Sequence, residues 1–515
     1  MRRVLTVVLL LLAGSAAAAD APTLFREHCA ACHGADRYGL MGPALLPESL
    51  ERLKKADALA TIRDGRAATQ MAGFAGKLTD EEMAALAAWI YTPVQPAPQW
   101  SEADIRASRL AEPEKLPDRP VEALRGIDLM NMFIVVEAGD HHATLVDGDR
   151  LEPVFRFPTR YALHGGPKFT PDGRYVFFAS RDGWISKFDI WNLKTVAEIR
   201  AGINTRNVAV SDDGRWVMVA NTLPHTLVLL DADLNLVKTI PAQAKEGGAT
   251  SRVSAVYDAA PRHSFVAALR DIPELWEISY DPAAKPIYDG YVHDYTMGEA
   301  LATPGFLNPR RTSLDAVLED FYFDQSYTDV MGTARGGHGQ VVNLDVRRKI
   351  ADLDLPGMPH LGSGITWEWH GRTVMATPNL KEGVVSVIDM TNWKSVAHIA
   401  TNGPGFFMRS HDATRYAWVD AMMSAKKDTL QVIDKETLQV VAEVCPAPGK
   451  TLAHVEFTRD GRYVLASIME RKADGGAIVV LDAATFKEVK RIPMDKPVGK
   501  YNLYNKITRS AGTSH

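Results

Sequence analysis

One short phrase recurs through the C-terminal part of this chain and limits what it can fold into. Asp172-Gly173-Arg174-Tyr175-Val176, Asp213-Gly214-Arg215-Trp216-Val217 and Asp460-Gly461-Arg462-Tyr463-Val464 are the same tight turn feeding the same apolar strand. Asp-Gly supplies the positive φ of a hairpin turn, and the apolar residues after it suit a pleated strand. A second mark is an apolar run that ends in an acid. It occurs at Val146-Asp147, Phe188-Asp189, Leu230-Asp231, Leu344-Asp345, Ile388-Asp389, Ile433-Asp434 and Leu481-Asp482, with Trp276-Glu277 a degenerate copy. The marks at 147, 189 and 231 are each 42 residues apart, and later ones are 44, 45 and 48 apart. Such a period fits a four-stranded propeller blade, and the count of marks is eight.

One blade cannot bury both faces of its sheet. A closed ring of blades can, and it leaves a central channel whose ends are built from loops. The segment Tyr501 to Arg509 is expected to return to the first blade and close the ring; an open stack of blades is the weaker alternative. The gap from Glu277 to Asp345 is 68 residues. It predicts an insertion near Asp281 to Asp320, containing Pro282, Pro286, Pro304 and Pro309, that forms a long loop or short helices over one face.

The N-terminal part has a different character. Cys29-Ala30-Ala31-Cys32-His33 is the c-type haem attachment pattern: each thiol adds across a haem vinyl group and the imidazole becomes an axial ligand. A zinc site would need a second ligand pair, and Cys445 is the one cysteine left over. Residues 20–92 therefore read as a mainly α, class I cytochrome c domain carrying one covalent haem c. Thr23 to Ala31 is the expected first helix, with Leu24 and Phe25 facing the haem. Thr79-Asp80-Glu81-Glu82 is a capping box that opens a helix with Met83, Leu86, Ala87 and Ile90 on one face. Between them, Gln70-Met71-Ala72-Gly73-Phe74 offers Met71 as the second iron ligand, a thioether that raises the potential. Met41 is an alternative thioether. Residues 93–125, beginning with Pro93, Pro96 and Pro98, read as a stiff connector with a short helix over Ser101 to Arg109. Residues 126–515 form the eight-bladed, all-β propeller.

Residues 1–19 read as a Sec-type signal peptide: Arg2 and Arg3, an apolar run from Val4 to Leu12, and Ala17-Ala18-Ala19 before the cleavage point. An uncleaved anchor is the alternative. The expected location is the periplasm, with no membrane span. Net charge is −5, or −7 without Arg2 and Arg3, and no basic run is present, which argues against nucleic acid as a partner. Cys445, before Pro446, is expected at a strand end as a buried structural cysteine.

Propellers bind ligands at the channel mouth. Four histidine-bearing segments break the blade pattern: Tyr161 to Pro167 with His164, Met358 to Gly364 with His360, Phe406 to His411, and Leu452 to Glu456 with His454. Each is expected just before the innermost strand of its blade. Arg181 leaves a second strand, Arg206 and Arg252 precede innermost strands, and Arg335 and Arg409 are further candidates. Converging guanidiniums imply a polyanionic ligand, because each can grip a carboxylate bidentately. His141, His142, His225, His263 and His293 read as surface or loop residues.

A cytochrome c domain followed by an eight-bladed propeller resembles the cytochrome cd1 nitrite reductase family over the mature chain, with Arg181-Asp182-Gly183 and Phe188-Asp189-Ile190-Trp191 as local matches. Ala162 to Phe169, Gly202 to Asn207, Lys496 to Tyr501 and the terminal Gly512 to His515 are similar to its dihydro-haem d1 dehydrogenase (NirN) branch, the last step of haem d1 biosynthesis. The resemblance implies that the propeller binds dihydro-haem d1 as substrate and haem d1 as product. It implies that His164 ligates the tetrapyrrole iron, that Arg181, Arg206 and Arg252 hold its carboxylates, and that His411 lies at a distal histidine position. Glu137-Ala138-Gly139 departs from the reductase pattern, which has an arginine there. The implied reaction oxidises a propionate to an acrylate, with His454 or His360 as base and electrons leaving through the c haem to an external acceptor. Transient contact with nitrite reductase or other haem d1 assembly proteins is a further implication. The rival readings are a haem d1-containing nitrite reductase and a non-enzymatic haem d1 carrier.

Overall fold

The computed structural model describes residues 20–40, 42–50, 53–66, 71–288, 302–334 and 337–508. The expected signal peptide, Met41, Gln70, His293, Arg335, Arg509 and Gly512 to His515 lie outside them.

Asp20 caps the helix Ala21–His28, accepting from Thr23 N at 3.0 Å. The chain breaks at Cys29 and resumes helically over Ala30–His33, so the expected single helix starts earlier and is interrupted at the first thiol. The Thr79–Glu82 capping box is formed and opens Asp80–Trp89. Met83, Leu86, Ala87 and Ile90 pack against Leu24 and Phe25 in one buried cluster, with the Phe25 and Trp89 rings 4.9 Å apart.

Eight four-stranded antiparallel sheets follow, one of them carrying a fifth strand at its edge. In blades 2 to 8 the first strand in sequence is innermost: Lys168–Phe169, Asn204–Val210, Val253–Ala259, Asp320–Phe323, Ile365–Trp369, Met408–Ser410 and Leu452–Phe457. Blade 1 is completed by the C-terminal strand Pro497–Asn502, which pairs antiparallel with Met132–Glu137. Closure by the C-terminus holds, but the closing strand begins at Pro497, and Leu503–Thr508 is a helix. An apolar cluster fills every junction between neighbouring blades, including Leu465, Ile478 and Val480 of blade 8 against Phe133, Val135 and Val146 of blade 1. Each fully buried Val, Leu or Ile there contributes about 1.5–3 kcal/mol, which favours the closed ring over an open stack.

The repeat marks acquire physical roles. Acids that end third strands accept backbone N–H groups of the next turn: Asp147 from Asp149 and Arg150, Asp434 from Glu436 and Thr437, Asp482 from Ala484 and Thr485. The Asp-Gly turns join the first and second strands, with Gly173, Gly214 and Gly461 at φ of 69°, 68° and 73°.

The insertion lies within blade 4, between the strand Glu274–Ser279 and the outermost strand Pro309–Ser313. It is shorter than expected, because Pro309 already belongs to that strand. Cys445 follows the outermost strand Gln439–Val444 of blade 7 and is exposed, not buried: this strand has one face to solvent and the alternation continues past its end.

The connector is fastened to the ring. It forms the helix Glu102–Ala107, and Leu110–Ala111 adds to the outer strand Lys194–Arg200 of blade 2. Arg106 and Arg109 donate to Leu236 O and Asp233 O. The cytochrome domain meets the loop leading into blade 3 through a buried cluster of Ala44, Leu46, Ile203 and Leu223.

Candidate functional site

In the cytochrome domain, His33 is 7% exposed and its Nδ1 lies 2.8 Å from Pro43 O. Nδ1–H donates to that carbonyl, so the lone pair is on Nε2, the arrangement typical of a metal-ligating imidazole. Gly42 is needed beneath the ring: a Cβ there would sit 2.5 Å from His33 Cε1. Burial holds the His33 pKa below its ordinary value and pushes the Cys29 thiol up to about 11. Met71 and Cys29 border the same apolar cluster as Leu24 and Phe25. Two thiols, an imidazole with its Nε2 lone pair available and a thioether around one apolar basin fit a covalent haem c.

The second site is at one end of the propeller channel. His164 lies in the loop leading into blade 2. Its Nδ1 donates to Arg206 O at 2.7 Å, and its Nε2 accepts from Arg181 Nη2 at 2.7 Å and from Arg206 Nη1 at 3.0 Å. Arg206 Nε is held by Ser254 O at 2.7 Å. Among the described residues neither guanidinium pairs with a carboxylate. Burial beside Arg206 and near Arg66 lowers the Arg181 pKa to about 9, so its charge is destabilised without an anion. Burial and the two guanidiniums hold His164 well below its ordinary value, neutral with a lone pair to give.

Across the channel, His360 is buried, with Nδ1 donating to Phe406 O at 2.9 Å and Nε2 3.9 Å from Asp320 Oδ2. Burial lowers the His360 pKa while Asp320 raises it. Asp320 is fixed by Tyr257 Oη at 2.7 Å and Gly362 N at 2.8 Å. Phe406 and Phe407 stand between the two histidines: ring centroids are 4.2 Å from His360 to Phe406, 4.6 Å from Phe406 to Phe407, and 4.6 Å from Phe407 to His454. Their N–H groups donate to Asp420 at 2.8 and 3.0 Å, and burial pushes that carboxyl up to about 6.

His454 sits within the innermost strand of blade 8, at a bulge between Ala453 and Glu456, with φ of 54°. A left-handed non-glycine residue inside a buried strand is the kind of strain that functional sites retain. Its Nδ1 accepts from Lys500 N at 3.4 Å, which puts the ring proton on Nε2. Burial, Lys500 and Arg409 depress its pKa strongly.

Two candidates stand apart. Arg252 precedes its innermost strand as expected, but its guanidinium is gripped by Asp271, with Nε 2.8 Å from Oδ2. His411 follows the innermost strand Met408–Ser410 instead of preceding it. The first-to-second-strand turn places it at the opposite end of the channel, where Arg459 O and Ala413 N engage its ring at 3.1 Å each. The register expectation is corrected there: Ser410-His411-Asp412 is this blade's counterpart of the Asp-Gly turns. Arg206 and His454 also lie inside their innermost strands rather than ahead of them.

Several channel residues escaped the sequence reading. Lys168, Glu456 and Lys500 line innermost strands beside the expected Arg409, and Lys506 follows on the terminal helix; all are buried. Charged residues in the first strand of a blade would have been the signal, since that strand otherwise reads as core.

Residues 127–506 match the family model described as cytochrome D1 heme domain, and residues 16–90 match that of cytochrome c oxidase, cbb3-type, subunit III. The chain is 54% identical to a dihydro-heme d1 dehydrogenase of Pseudomonas aeruginosa, over 98% of each chain. It is 26% identical to a nitrite reductase of Stutzerimonas stutzeri, over 94% of this chain and 92% of that one. A solved structure of the dihydro-heme d1 dehydrogenase NirN in complex with DHE superposes with a TM-score of 0.82 at 53% identity, covering 95% of this chain and all of the other.

Proposed function

The chain belongs to the cytochrome d1 haem-domain family, within its dihydro-haem d1 dehydrogenases, and from that premise we infer how its channel works. It is an oxidoreductase that removes two electrons and two protons from adjacent carbons of a propionate of dihydro-haem d1, leaving the acrylate of haem d1.

The observation that carries the site assignment is the meeting of two half-buried guanidiniums on the Nε2 lone pair of His164. We propose that His164 gives this lone pair to the iron of the substrate, while Arg181 and Arg206 turn to its carboxylates. A guanidinium on the reacting carboxylate also lowers the cost of removing a proton from the neighbouring carbon. Arg252 would contribute by exchanging Asp271 for a substrate carboxylate.

Of the two candidate bases, the hydrogen bonds favour His360. Its Nδ1–H is committed to Phe406 O, so Nε2 is the accepting atom, and the Asp320 carboxylate 3.9 Å away stabilises the imidazolium that results. His454 is placed as a donor, with Lys500 and Arg409 opposing its protonation. Phe406 and Phe407 exclude water between them. Cys29, Cys32, His33 and Met71 would hold the covalent haem, which would supply one-electron transfer to an external acceptor.

We place the mature protein in the periplasm, on the strength of residues 1–19, and expect passing contact with nitrite reductase or other haem d1 assembly proteins. Among the described residues no helix is long and apolar enough to cross a membrane.

The test is incubation of the ferric protein with dihydro-haem d1 and mass analysis of the pigment. A loss of two hydrogens is expected. Unchanged pigment delivered to an acceptor would mean a carrier, and steady nitrite consumption would mean a reductase.

A further inference from the structure

The two imidazoles that this reading assigns to iron lie in different domains, yet an unbroken run of covalent and hydrogen bonds joins them. His33 Nδ1 donates to Pro43 O at 2.8 Å. From Pro43 the main chain leads through Ala44 and Leu46, both buried at the domain seam, to Ser49. Ser49 Oγ accepts from Asn204 Nδ2 at 3.3 Å, across the seam. Two residues further on, Arg206 O accepts from His164 Nδ1 at 2.7 Å.

The crossing point is packed and fixed. Ile203 and Leu223 complete the apolar cluster with Ala44 and Leu46. Ile203 N donates to Leu223 O at 2.8 Å, and Thr222 Oγ1 to Asn204 O at 3.0 Å. Gly183, at φ of 92°, lets the chain press against Gly202: a Cβ there would run into Gly202 O. Asn204 is 5% exposed, and its buried Oδ1 accepts no hydrogen bond among the described residues. An unmet buried amide oxygen is destabilising, so a polar residue in this apolar seam needs a reason to be there.

We propose that Asn204 and Ser49 are positioning residues that couple the tetrapyrrole site to the c haem, the electron crossing between domains at their hydrogen bond. The proposal rests on the function inferred above. Each crossing oxidises the tetrapyrrole by one electron and reduces the ferric c iron to ferrous. No bond is made or broken at the seam, and the substrate protons leave on the channel side.

The experiment uses the full chain with its covalent haem, mixed anaerobically with dihydro-haem d1 while c-haem absorbance is followed. Asn204→Ala and Ser49→Ala should each slow c-haem reduction by about tenfold, and the double variant should be no slower than either, as one shared interaction requires. Asn204→Asp, which can accept from the Ser49 hydroxyl, should recover most of the rate. Tetrapyrrole affinity and the c-haem midpoint potential should stay at their parental values. Without substrate, amide hydrogen exchange over residues 43–49 and 203–206 should rise in both single variants. Equal rates, additive losses, or a loss that accompanies a shifted potential or affinity would each overturn the coupling. A parental protein whose c haem stays ferric would instead overturn the function on which it rests.

Discussion

His33 and His164 are set up alike on unrelated scaffolds. Each donates Nδ1–H to a main-chain carbonyl, Pro43 O at 2.8 Å and Arg206 O at 2.7 Å, and each is kept neutral by burial. What surrounds Nε2 differs. Around His33 lie thiols and an apolar helix cluster; around His164 lie the guanidiniums of Arg181 and Arg206. On the proposed reading the shared hydrogen bond prepares each imidazole as an iron ligand. The surroundings would then decide whether the tetrapyrrole is fastened permanently or held by its carboxylates and released after oxidation.

The strongest way to break this comparison is to remove the permanent attachment. Cys32→Ala together with His33→Ala should abolish c-haem absorbance and stop turnover, yet leave tetrapyrrole binding intact, as seen by absorbance titration. Loss of pigment binding as well would show that the propeller site depends on the cytochrome haem. Next in size is proton removal: His360→Gln should lower the rate of acrylate formation by about 10²- to 10⁴-fold, the usual range for a general base, with pigment still bound. His454→Gln should cost much less. A reversed order would transfer the base role to His454. Third, Arg181→Ala should weaken tetrapyrrole binding by about 2–5 kcal/mol, roughly 30-fold or more in Kd, because it removes one half of a buried charge pair.

How much of this was legible in the sequence depends on whether a residue's role is local. CxxCH, the Thr79–Glu82 capping box and the Asp-Gly turns act within a few residues, and the capping box and the turns form as read. Ring closure was legible because eight periods must end on a partner, though the closing strand starts earlier than expected. The histidine register was not. His411 and His360 look equivalent in the chain, but one follows and the other precedes an innermost strand, and that difference moves a side chain by the length of the channel. Lys500 and Glu456 went unseen because inward-facing charges in a buried strand match no local pattern.

A smaller effect concerns the charge that awaits the substrate. Burial lowers the Lys168 pKa from its ordinary value to about 7. In the unliganded protein the unfolded chain therefore binds this proton more tightly, and Lys168's contribution to stability grows as pH rises above 7. Carboxylates in the channel favour the charged amine and reverse the trend. Tetrapyrrole affinity should fall by about three- to tenfold between about pH 6.5 and 8.5, and Lys168→Met should flatten that slope. A slope that survives in the variant would place the titrating group elsewhere.

The smallest effect is the most discriminating for the two ends of the channel. If His411 were a distal ligand facing the tetrapyrrole, His411→Ala should damage turnover as His360→Gln does. Its ring instead meets Arg459 O and Ala413 N, and a Cβ on Gly461 would collide with it. It therefore braces the turn between the first and second strands of blade 7 against the matching turn of blade 8. Removing it should lower thermal stability by about 1–3 kcal/mol, since two part-buried hydrogen bonds of about 0.5–1.5 kcal/mol each are lost. It should change the rate of acrylate formation by less than about twofold. Calorimetry and turnover on one preparation separate the two quantities: a large rate loss at unchanged stability would return His411 to the substrate.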